Sequence, residues 1–169
     1  MSSSTLTTNS LTTYLQDHLA GSVHAIELLK AIRDHDVGKP LGEFAAHLLT
    51  DIEADRGVLA ELIQRMGATP SGVKEWGAWL VEKVSRLKLK RGSSEDELGT
   101  LEALEFLMLG IHGKWALWRA LSVVAPFDGR LKGTDFTQLI SRAQSQHDRV
   151  EERRLEWAKI ALRPESKAA

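Results

Sequence analysis

The chain has no cysteine. Disulfides, thiolate nucleophiles and cysteine-ligated zinc or iron–sulfur sites are therefore excluded, and the composition suits a reducing compartment such as the cytoplasm. Proline is scarce, with four in 169 residues, at positions 40, 70, 126 and 164. They punctuate the apolar repeats and do not interrupt them. No apolar run approaches the roughly 20 residues that cross a bilayer. The opening MSSSTLTTNS has neither the basic start nor the apolar stretch of a secretory signal. Charge of either sign is not in excess, with 22 Lys and Arg against 23 Asp and Glu, so no net field favours nucleic acid or an anionic membrane. Catalytic signatures are missing as well. The glycines of GIHGKW (residues 110–115) follow no strand and are not a phosphate loop. No Ser–His–Asp arrangement or glycosidase-like carboxylate pair can be argued from spacing.

What remains is rich in Ala, Leu, Glu, Arg and Lys, a composition that favours helix. Helix one is expected from Ser10 as N-cap to about His35, with an inward seam of Leu11, Leu15, His18, Ser22, Ala25, Leu29 and Ile32. The steps alternate four and three, which keeps one stripe facing a core. Helix two follows Pro40 with Leu41, Ala45, Leu48, Ile52, Asp55, Leu59, Leu62 and Met66, and Gly67 suits its C-terminal cap. Ser94 and Glu97 form a capping box for helix three, whose seam is Leu101, Leu104, Met108, Ile111, Trp115 and Trp118. After the loop FDGRLKGTD, helix four starts near Thr134 or Asp135, with Leu139, Ala143, Gln146, Val150 and Trp157 inward. Residues 1–9 read as a disordered tail, 10–163 as one helical domain, and 164–169 as a frayed end.

The links discriminate between topologies. Helices one and two are joined by a short link and helices three and four by roughly ten residues, so each pair is expected to form an antiparallel hairpin. Residues 68–93 are long enough to cross the molecule from end to end, and Pro70 to about Leu89 is itself helical in pattern. The expected fold is all-α: four helices with one long crossover carrying an extra short helix.

The segments LAGSVHAIELLKAI, IEADRGVLAELIQRMG, LEALEFLMLGIHGKWALWRAL and AQSQHDRVEERR carry a resemblance. Over about residues 11–163 the chain resembles a divergent member of the ferritin-like superfamily, similar to small bacterial ferritin-like proteins of unknown role. The resemblance implies a four-helix bundle with a dimetal layer at its centre. That layer takes one Glu from each of two helices and a Glu-x-x-His pair from each of the others. Carried over residue by residue, the pattern is broken. Ser22 stands where helix one supplies its Glu, and Glu27 lies off the seam. Arg56 stands where the His of helix two belongs. Ile111 or His112 matches the helix-three ligand, with Glu105 a turn and a half earlier. Gln144 to His147 keeps a His and loses the Glu. Two divalent cations need about four buried carboxylates. The sequence offers Asp55, with Glu105 as a second candidate.

The polar residues on the seams therefore have two readings. One is a hydrogen-bonded core network built on an Asp–His or Asp–Arg pair. The other is a remodelled single-metal site, for iron or zinc, with His18, Asp55 and His147 as ligands. His24, His35, His47 and His112 are expected at the surface or its boundary. The basic, Trp-containing segment 73–91 suits a solvated crossover helix, a partner surface or attachment to an anionic membrane. The functional expectation is a self-associating, non-enzymatic binding or interaction protein without an intact dimetal site. It needs no cofactor and binds no nucleic acid, and its small-molecule ligand is open. The alternatives are a metalloprotein with a degenerate site and a peripheral membrane protein acting through residues 73–91.

Overall fold

The computed structural model describes residues 3–71 and 94–163, and side chains within them from 10 and from 96 onward. Every regular element among these residues is helical. They are α1 (Ser3–His35), α2 (Pro40–Arg65), α3 (Ser94–Val124) and α4 (Phe136–Ala161), with two short 3-10 turns, Ala125–Phe127 and Gly129–Leu131, in the link before α4. α1 starts at Ser3, ahead of the expected Ser10, because residues 3–9 contain no proline or glycine to stop it. The crossover helix expected after Pro70, the basic segment 73–91 and the tail 164–169 lie outside the described residues.

Sequence-encoded signals turn the chain after α1 and end α2. After α1, Gly38 takes φ 73, a left-handed conformation that L side chains rarely adopt, and Pro40 then opens α2 where its missing N–H has no helical partner to lose. Behind α2, Gly67 has φ 76. Its N–H donates to the Gln64 carbonyl at 2.9 Å and that of Ala68 to the Ile63 carbonyl at 3.2 Å, the paired bonds of a Schellman cap. The segment beyond is tied back to α1. Gln16 donates to the Thr69 carbonyl at 2.9 Å and accepts from the Ser71 hydroxyl at 2.9 Å. At the start of α4, the Asp135 carboxylate accepts the Gln138 N–H at 2.9 Å. Asp135→Ala should lower stability by about 1 kcal/mol in urea titrations. An unchanged midpoint would mean that this cap contributes nothing.

α1 packs along α2, α3 along α4, and α1 also meets α3. The spacing of four and three sets the buried stripe on each helix. Leu15, Leu29 and Ile32 of α1 are buried, as are Leu41 through Leu62 on the α2 seam, Leu101, Leu104, Ile111 and Trp118 of α3, and Leu139, Ala143 and Val150 of α4.

The apolar core is divided in two. One cluster takes Ile26–Ile32, Leu41–Ile52, Ala103–Ile111 and Val150; the other takes Leu15, Leu19, Leu59–Ile63, Leu117–Leu121 and Phe136–Ala143. On each helix the break between clusters falls at a polar residue: Ser22, Asp55, Lys114 and Gln146.

Candidate functional site

That mid-helix level holds the most heavily buried carboxylate among the described residues. The Asp55 side chain is 2% exposed, with Lys114 at 15% and Arg142 at 34%. The Lys114 ammonium donates both to the Asp55 carboxylate and to the Gln146 side-chain oxygen, while Gln146 Nε2 donates to Asp55 at 3.1 Å. Arg142 forms an ion pair with the other carboxylate oxygen of Asp55. One carboxylate on α2 is thus held by a lysine from α3 and by an arginine and an amide from α4. A turn away, Arg149 pairs with Asp51 across the same two helices. Burial lowers the Lys114 pKa from its ordinary value, and the adjacent Asp55 opposes that shift.

Beside this layer lies a cavity of about 650 Å³ walled by α1, α2 and α3. Asp55, Arg56 and Lys114 mark its charged side; Ile52, Leu59, Phe106 and Trp118 belong to its apolar side. Gly21, Gly110 and Gly113 also line it. Glycine pairs inside a helix suggest close packing, since they lower helical stability. The structure gives them the opposite setting: a Cβ at any of the three would meet nothing within 4 Å, and none has a left-handed backbone. These glycines widen the cavity. Gly110→Ala and Gly113→Ala should each raise unfolding free energy by about 1 kcal/mol. A loss of stability in chemical denaturation would contradict the open setting.

His18 and Asp55 share this cavity wall; His147 is not among its lining residues. The His18 ring stands edge-on to Tyr14 at 4.7 Å, and burial lowers its pKa against a weaker opposing influence from Asp17. His147 lies beside Asp148 at 3.3 Å and 6.1 Å from the His112 ring. Ser22 satisfies itself locally, donating to the Leu19 carbonyl at 2.6 Å. Among the described residues no group of three or more His, Asp or Glu side chains is placed to hold a metal ion.

Glu105 is not a core carboxylate: it is half exposed and faces Arg154 at 3.4 Å. Glu27, off the seam as read, is exposed and pairs with Lys30 at 3.0 Å. Residues 151–156 are ion-paired at a spacing of three, through Glu151–Arg154 and Arg153–Glu156. His35 is half-buried as a residue, in keeping with the expected boundary position. Its side chain is 7% exposed, between Asp36 at 3.2 Å and Asp96 at 3.4 Å, so it joins the α1–α2 turn to the start of α3.

Lys114 is the residue that the apolar seam concealed. Ile111, Lys114 and Trp118 keep the steps of three and four, but Trp115, the more hydrophobic neighbour, is the natural choice for the inward position. Trp115 is only half-buried. No protein-family model matches this chain, and neither a curated protein nor a solved structure matches it.

Proposed function

We propose that this chain is a ferritin-like bundle in which side-chain cations stand in the layer where the superfamily carries metal, and that it works as a small-molecule binding protein through the cavity beside that layer. The carrying observation is the capture of the Asp55 carboxylate by Lys114 and Arg142, at the level that splits the core, on the edge of a 650 Å³ void. Two further features support it. Three glycines keep the void open, although alanine would fit at each. The donor set is also wrong for two divalent ions. One buried carboxylate stands with Lys114, Arg142 and Arg56, and like charges about 4 Å apart repel by roughly 4 kcal/mol per unit pair at an effective dielectric near 20. A void of this size, mostly apolar with a few convergent polar groups, is the ordinary form of a ligand site.

Metal analysis tests this directly. Protein produced with added iron, manganese and zinc, then desalted, should carry far less than one equivalent of any of them, and a chelator should leave its melting temperature unchanged. Two equivalents per chain, lost together with stability on chelation, would overturn the reading.

A further inference from the structure

Among the described residues, Arg56 is the arginine of the central layer that has no counterion. Arg130, Arg142, Arg149, Arg153 and Arg154 each lie against a carboxylate. Among the described residues no carboxylate pairs with Arg56, and its Nε is buried without an acceptor. It lines the cavity one residue from Asp55, which is already held by two cations, so Asp55 leaves no negative charge over for it. The other acidic residue of the wall, Asp17, lies on α1 and acts on His18. A second donor waits at the same void. Trp118 is 1% exposed and lines the cavity, and its indole N–H has no acceptor among the described residues. Half-buried guanidinium without a partner and buried N–H without an acceptor are both unfavourable, and ligand oxygens in the void would relieve them. A single uncompensated guanidinium calls for a single negative charge, and its planar fork matches a carboxylate. The rest of the wall, from Ala25 and Ile52 to Phe106 and Leu117, suits hydrocarbon.

We propose that the cavity binds an amphipathic monocarboxylate, with the carboxylate on Arg56 and the hydrocarbon body against the glycine-lined wall. This rests on the cavity being a ligand site, and the test separates the two. Octanoate, octanol and octylamine are titrated calorimetrically into the full chain, its Arg56→Gln and Arg56→Lys variants, and Gly110→Leu, whose side chain would enter the void.

Octanoate should bind at one site, about tenfold tighter than octylamine, as expected for a charge-assisted bidentate contact. Arg56→Gln should abolish that preference, Arg56→Lys should keep part of it, and Gly110→Leu should block every ligand. Saturable octanol binding that Gly110→Leu removes, with no preference for octanoate or a preference indifferent to Arg56, would overturn the carboxylate assignment and leave the cavity standing. Failure of all three probes to saturate would overturn both. Should Arg56→Gln not fold, the graded response of Arg56→Lys carries the same decision.

Discussion

Asp55→Ala should destabilise the protein by about 3 kcal/mol and lower its melting temperature by roughly 6–12 °C. The carboxylate accepts hydrogen bonds from Lys114 and Gln146 and forms an ion pair with Arg142, three side chains from two other helices. Its removal leaves Lys114 charged at 15% exposure and Gln146, fully buried, with an unpaired amide. Arg142, a third exposed, can turn to solvent, which holds the loss at the lower end of what a broken buried ion pair costs.

A pH signature should accompany it. The folded protein already holds the Lys114 pKa below its ordinary value, with Asp55 opposing the shift, so losing Asp55 lowers it further. The unfolded chain then binds more protons than the folded one between the lowered pKa and the ordinary lysine value. Stability therefore rises with pH across that window, more steeply in Asp55→Ala than in the parent. Denaturation curves at neutral and alkaline pH check both points. A variant within 1 kcal/mol of the parent, with the same pH slope, would mean that the cluster is incidental.

Gly42→Ala should be comparably severe, for a steric reason. Gly42 is in the first turn of α2 and buried. A Cβ there would clash with the Asp36 carbonyl oxygen and lie 2.7 Å from its carbon and 3.3 Å from the Arg33 carbonyl oxygen. These are backbone atoms at the end of α1, and no rotamer change moves them. The turn must open, disturbing the buried Asp36 side chain that holds Lys39 at 2.8 Å. A loss of about 3 kcal/mol is expected, at the upper end of overpacking. The sign is opposite to that at Gly110, where the same substitution should stabilise. Similar responses at both positions in urea titrations would contradict the two settings.

Much of this architecture was legible because it depends on periodicity. Burial of a stripe forces apolar residues into steps of three and four, so Leu48, Leu62, Leu104 and Val150 could be placed from spacing alone. Asp55 and Gln146 were visible as polar residues on apolar seams, and both are buried. An Asp–Arg pair was one of the expected ways to satisfy Asp55, and Arg142 provides it. Lys114 was not legible, because a long side chain can reach a core from a flanking position and its aromatic neighbours mask it. Gly42 was illegible for another reason. What sets it apart is the approach of a backbone from before the turn, a tertiary fact with no local trace. The setting of Gly110 and Gly113 was not legible, because spacing marks a missing side chain without saying whether a neighbour or a void lies opposite.

The direct measurement of the central claim is a double-mutant cycle at Asp55 and Lys114, using Asp55→Ala, Lys114→Met and the pair. If the lysine ammonium is the cation that balances the central carboxylate, the double variant should recover part of what Asp55→Ala loses, with a coupling of about 1–3 kcal/mol. Strictly additive losses would mean that something other than Lys114 holds Asp55, and a cation-filled layer at the centre of the molecule would no longer stand.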